Sequence, residues 1–242
     1  MKVYEFVVKK IFYNYQFDFQ DGDQKQFKVD FDDQSLRSEL LDINEYPDWS
    51  RLECNQCESC TLTSEDYLYC PLAVNLVPIV YWCKDLTSYD EVDLTVISAE
   101  REVHVHTSLQ KAISSLLGLL MSSSACPKMT FLRPLARFHL PLATHEETIY
   151  RAASATLLKE YFQHGDKDKH DDPLHDLKLQ YRELQELNHF IAERIRGAIK
   201  RDAAVNAIVL LDVLSKRVSF SIDDSLQQIR YLFDSKDESN VA

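Results

Sequence analysis

An α+β fold, in which two antiparallel β-hairpins form a small sheet followed by a mostly helical C-terminal half, is predicted by two apolar periodicities and one turn. Ile11, Tyr13, Tyr15, Phe17 and Phe19 alternate with Asn14, Gln16 and Asp18, the period-two pattern of a strand with one buried face. Asp21-Gly22 then supplies a turn, and Phe27, Val29 and Phe31 alternate on the return. From Thr107 onward apolar residues recur at spacings of three and four, the period of a helix face.

The elements follow in order. Tyr4, Phe6 and Val8 hold the opposite parity to the strand after them, so Lys9-Lys10 is expected to form a bulge. Residues 32–50 are polar, contain Pro47, and read as a loop or short helix leading into the cysteines. Residues 72–84 are apolar enough for a buried helix, interrupted at Pro78 where the backbone N–H is missing. Val92, Leu94 and Val96 begin a second hairpin that turns at 98–100 and returns over 101–106. Thr107 with Gln110 reads as a capping box for a helix carrying Leu109, Ile113, Leu116, Leu117 and Leu120 on one stripe. Thr144 with Glu147 repeats the device for a helix reaching about residue 162.

Residues 164–172, with Gly165 and alternating Lys and Asp, read as a flexible connection. It separates an α+β domain carrying the cysteine cluster, 1–163, from a helical C-terminal unit, 172–235, packed on it. In that unit Leu174, Leu177, Tyr181, Leu184, Asn188, Ile191, Ile195 and Ala198 form a heptad seam with one asparagine inside it. Short loops favour antiparallel packing within the chain. A homodimer through the 174–198 helix is the alternative, because a buried asparagine fixes register in dimers. Further helices are expected over 203–216 and 222–233. Asn188, Arg194, Asp202, Asn206 and Asp212 lie on these otherwise apolar helices and are expected to bond one another.

Composition removes several function classes. The net charge is −12, from 39 acidic against 27 basic residues, and such a surface repels phosphates, so no nucleic acid is expected as partner. Arg194, Arg196, Lys200 and Arg201 form a basic strip that reads as a solvated helix face. Only four glycines are present, with no G-x-G-x-x-G and no Walker-type run, so no nucleotide-binding loop is expected. The most apolar stretch, 72–83, is shorter than the roughly 20 residues of a membrane span, and no membrane partner is expected. The opening MKVYEFVVKK lacks the apolar run of a secretory signal. A cytoplasmic location is therefore expected, with cysteines kept as thiols or metal ligands.

The sharpest chemical feature is the cysteine cluster. Cys54, Cys57 and Cys60 stand at C-x-x-C-x-x-C spacing, Cys70 follows ten residues later, and Cys126 lies far downstream. Two-residue gaps let the backbone turn so that successive thiolates face one centre. Cys70-Pro71 and Cys126-Pro127 place each cysteine before a residue favoured at the first helical position, where the helix dipole is expected to lower the thiol pKa. Three readings stay open: a structural zinc site, an iron–sulfur cluster, or free cysteines packed as small apolar groups. Cys83 follows Tyr81-Trp82 and reads as a packing residue.

Two polar constellations are candidates beside it. His104 and His106 share a strand face with Glu102, a chelating pattern that is also the polar face of a hairpin. Arg137, His139, Glu147 and Arg151 could form an acid–base or anion site, although Glu147 also reads as a helix cap.

Cys57-x-x-Cys60, Cys70-Pro71, residues 116–121, Ala125-Cys126-Pro127, the run from Ala136 to Pro141, and Glu146-Glu147-Thr148 with Tyr150-Arg151 carry a resemblance. At these residues the chain, from about residue 50 on, resembles a family of uncharacterised bacterial proteins. The resemblance implies no activity. It does imply the bacterial cytosol, and that Cys57, Cys60, Cys70 and Cys126 belong together, with Cys54 a fifth and less secured candidate. The expectation is thus a metal-stabilised, zinc-binding cytoplasmic protein of interaction or regulatory type, its helical unit facing a protein partner. The alternative is an iron–sulfur redox or sensor protein, or an enzyme using His139 and Glu147.

Overall fold

β1 (Phe12–Phe19) and β2 (Gln24–Asp30) form the first hairpin, and β3 (Glu91–Ser98) and β4 (Glu102–Ser108) the second. The computed structural model describes residues 11–32, 34–38, 46–164, 172, 174–198, 203–209 and 222–233. Antiparallel pairing of β1 with β3 joins the hairpins into one four-stranded sheet of order β2-β1-β3-β4. Gly22, at φ +92, takes the left-handed conformation that closes the first turn. The register sets Tyr15 opposite both Phe27 and Val96, and Phe17 opposite Leu94. Tyr13, Tyr15, Phe17, Val92, Leu94 and Val96 are consequently buried together on one face.

Helices cover that face. α1 (Pro71–Trp82) ends with Trp82 against Phe17, ring centroids 5.0 Å apart. It runs through Pro78 without the interruption that the sequence suggests. Packing is the reason: Leu72, Leu76 and Ile79 are all buried, and their burial outweighs one absent hydrogen bond. α2 (Leu109–Ser122) buries the expected stripe of Leu109, Ile113, Leu116 and Leu117. The capping box expected at Thr107 and Gln110 does not form. Thr107 stays in the strand ladder opposite Val92, and the N-cap is Ser108. The first helical N–H groups bond loop carbonyls instead, Leu109 to Asp90 at 2.7 Å and Gln110 to Ser88 at 3.0 Å.

After α3 (Arg133–Arg137), α4 (His145–His164) begins with a formed capping box. The Thr144 N–H donates to Glu147 Oε2 at 2.7 Å, and the Glu147 N–H to Thr144 Oγ1 at 3.2 Å. α5 (His175–Ala198) buries Leu177, Tyr181, Asn188, Ile191 and Ile195, so the heptad seam faces the chain's own core. A helix α6 at 203–209 and α7 (Ile222–Ile229) follow. One hydrophobic cluster draws on the sheet, α1, α2, α5 and α6 together. The bulge at Lys9-Lys10, residues 165–171, and Lys200, Arg201, Asp202 and Asp212 lie outside the described residues. Among the described residues no helix is long and apolar enough to cross a membrane.

Within one chain Asn188 is 1% exposed, on the face of α5 that packs against the chain's own core. Asn188→Leu is expected to leave the molar mass in solution unchanged by light scattering. A shift in mass would place the seam between two copies.

Candidate metal centre

Residues 51–70 contain no helix or strand, only turns and a single bridge. A loop of this length without secondary structure needs other fastenings. Its base is pinned by an antiparallel bridge between Arg51 and Tyr69. Beside it the Leu52 N–H donates to Leu68 O at 3.0 Å and the Cys70 N–H to Ser50 O at 2.8 Å. Within the loop, the Cys60 N–H donates to Cys57 O at 3.1 Å, the turn expected of two-residue spacing. The tip is tied to α5 by the Ser59 N–H, which donates to Glu186 Oε1 at 2.9 Å.

Cys57, Cys60, Cys70 and Cys126 all line one small cavity of about 20 Å³ between this loop and α5. Leu187, Ile191 and Arg194 close it from the helix, and Lys128 borders it. The space holds a single water-sized sphere. Cys54 does not line it, and Cys83 is buried elsewhere in the core, as a packing residue would be. Among the described residues, no group of three or more His, Cys, Asp or Glu side chains is drawn tightly enough to hold a metal ion.

Both Cys-Pro steps are helix starts. Cys70 is the N-cap of α1, and Cys126 that of the 3-10 helix Pro127–Leu132. The expected lowering of the thiol pKa is overturned at Cys126, which is pushed up to about 11. Burial is the main cause, and the neighbouring Cys70 and Cys60 add to it; the backbone N–H groups of Lys128 and Met129 pull the other way, without forming a cap hydrogen bond. Burial, with Cys70, Cys60 and Cys126 close by, likewise pushes Cys57 up to about 12, while Arg194 lowers it.

Of the two readings of Arg194, a solvated strip and a buried polar group, the structure overturns the first and changes the partners of the second. Arg194 is 2% exposed, not part of a solvated strip. Its bonds run to backbone, not to polar groups of the bundle: Nη1 donates to Arg51 O at 2.5 Å and Trp49 O at 3.1 Å, and Nη2 to Leu52 O at 2.9 Å. Its Nε is buried with no partner. The signal was present in the spacing, since Arg194 lies seven residues after Leu187 and three after Ile191, on the buried face of α5.

The other constellations resolve differently. His104 and His106 lie on the exposed face of β4, each held by neighbours. His106 bonds Asp93 and Glu91, both at 2.8 Å, and these raise its pKa; His104 bonds Glu102 at 2.9 Å and Thr95 at 2.9 Å. His139 joins a partly buried network. Tyr15 Oη contacts its Nε2 and also lies 2.8 Å from Ser115 Oγ, while the His139 N–H donates to Tyr13 Oη at 3.0 Å. Arg151 Nη2 donates to Leu135 O at 2.8 Å and Phe138 O at 2.6 Å. His139 and Arg151 line a second, larger cavity whose wall does not include Glu147, the capping residue. Arg137 gives its carbonyl to Tyr13 Oη at 3.0 Å.

A family model described as a domain of unknown function, DUF6901, matches residues 12–234, and the chain belongs to that family. No curated protein and no solved structure matches the chain.

The His139 network makes stability depend on pH. Burial pushes His139 down to about 3, so the folded ring stays neutral while the unfolded one takes a proton near its ordinary 6.5. The unfolded chain therefore binds more protons as pH falls from 6.5 towards 3, and stability is lost in that window. Between pH 7 and pH 5 the loss is expected to be on the order of 1–2 kcal/mol. Urea unfolding of the parent and of His139→Gln should show it as a difference in slope with pH. Equal slopes would contradict it.

Proposed function

We propose that this family member is a zinc-binding protein in which Cys57, Cys60, Cys70 and Cys126 hold one structural ion that fastens the cysteine loop to the helical half. The observation that carries the reading is convergence: thiols up to 69 positions apart in sequence line one small cavity, and binding an ion would have to draw them the remaining way to ligand distance. Four sulfur donors suit zinc, whose structural sites are closed tetrahedra of thiolates or imidazoles.

Charge supports the same reading. Four thiolates around a divalent cation leave a net charge of −2, and Arg194, whose bonds run only to main-chain carbonyls, borders the cavity with one positive charge; Lys128 beside it is already paired with Glu183. Without a cation, burial keeps Cys57 and Cys126 as thiols, and mutual repulsion resists their ionisation. A bound cation reverses that balance by stabilising the thiolates outright. Metal binding would then supply folding free energy on the order of 10 kcal/mol to a segment with few apolar contacts of its own. Such a domain works as a scaffold, and its role is of interaction or regulatory type, in the cytoplasm, where thiols stay reduced.

An iron–sulfur cluster is the competing occupant of the same cysteines. Size weighs against it, because a cubane needs far more room than the space between these thiols.

Cys57→Ser and Cys126→Ser are each expected to release the metal and to lower the melting temperature by more than 10 °C, given about 2–4 °C per kcal/mol in a chain of this size. Cys54→Ser and Cys83→Ser serve as comparisons and should keep the metal. Differential scanning calorimetry with metal analysis reads both quantities. An unchanged melting temperature and metal content in Cys126→Ser would defeat the reading.

A further inference from the structure

The second cavity, about 870 Å³, is bordered by Tyr181, Leu184 and Asn188 of α5, whereas the thiol cavity meets Leu187, Ile191 and Arg194 of the same helix. Its wall is built by β4, α2, the 3-10 helix Pro127–Leu132, α3, α4, α5 and the loop from His139 to Thr144. The volume falls within the range of small-molecule sites. Met121, Met129, Leu132, Leu135 and Leu184 make much of the lining apolar. Methionine suits such a wall, because its unbranched thioether adapts to the shape of what it touches.

The ionisable groups of the wall are one-sided. Lys111 and Arg151 border the cavity with no aspartate or glutamate in its lining; of the three lining histidines, His139 is held neutral and His106 is paired with Asp93 and Glu91. Neither Lys111 nor Arg151 forms an ion pair among the described residues. Arg151 is held at the wall by two backbone carbonyls, which fix the guanidinium without neutralising it. Lys111 is exposed, on the solvent side of α2. A partly desolvated guanidinium that forms no ion pair, with Glu147 acting on it only from a distance, beside a largely apolar cavity, matches an anion on an apolar body.

We infer that this cavity binds an amphipathic organic anion, a carboxylate on an apolar chain, with the chain against the methionine and leucine wall and the carboxylate held by Arg151 and Lys111. The inference is independent of the metal, since no cysteine borders this cavity.

Isothermal titration of the full chain with dodecanoate, dodecan-1-ol and dodecyltrimethylammonium, below their aggregation concentrations, tests it. Saturable binding of dodecanoate is expected, with the alcohol weaker by about tenfold, the worth of one charge-assisted bond, and the cation weaker still. Lys111→Glu, on an exposed helix position, should weaken dodecanoate by about tenfold while leaving the alcohol unchanged. Ala143→Trp, placed in the loop wall, should weaken all three by filling the chamber. Three results would overturn the inference: no saturable dodecanoate binding, equal affinity for the three headgroups, or affinities indifferent to both substitutions.

Discussion

The buried guanidinium of Arg194 is the constraint on which the cysteine region depends. Three main-chain carbonyls, from Trp49, Arg51 and Leu52, converge on a side chain more than 140 residues away. A cation buried without a carboxylate is costly to desolvate, and these carbonyls offset that cost. The strand-like ribbon at Arg51 and Tyr69 grows from the same residues, so α5 sets where the loop begins and ends. The loop tip is then tied to α5 a second time, at Glu186. Lys128, bonded to Glu183 at 2.8 Å, ties the helix start at Cys126 to that same helix. α5 is therefore the spine against which both cysteine-bearing segments are set.

This arrangement gives the thiols a shared environment before any ion is considered. Cys57 and Cys60 arrive on one turn, Cys70 and Cys126 at two helix starts, and all four border one space. The zinc reading rests on that geometry and on the guanidinium of Arg194 beside it. α5 and the 3-10 helix Pro127–Leu132 also contribute to the larger cavity, through Leu184 and Met129.

Much of the fold was legible in the sequence, and the failures share a cause. The hairpins were readable because the alternation of Tyr13, Tyr15 and Phe17, and of Val92, Leu94 and Val96, is a local pattern. Thr144 with Glu147 was readable for the same reason. Thr107 with Gln110 carries an equally good local motif, yet Thr107 belongs to a strand, and pairing with Val92 overrode it. Pro78 was read as a break because helix propensity is local, whereas the packing that carries α1 through it is not. The two-residue spacing grouped Cys57 and Cys60. Only the resemblance grouped Cys126 with them, because no local rule connects residues so far apart. Arg194 was misread as solvated for a related reason, its partners being carbonyls that no side-chain pattern reveals. The larger cavity had no signature in the sequence beyond the His139 and Arg151 that line it.

The most direct measurement of the central claim is metal content together with a visible absorption spectrum, on protein purified without air. The account predicts about one zinc per chain and a colourless solution, as a closed tetrathiolate site requires. Protein without metal, or a brown chromophore with iron and sulfide, would contradict it.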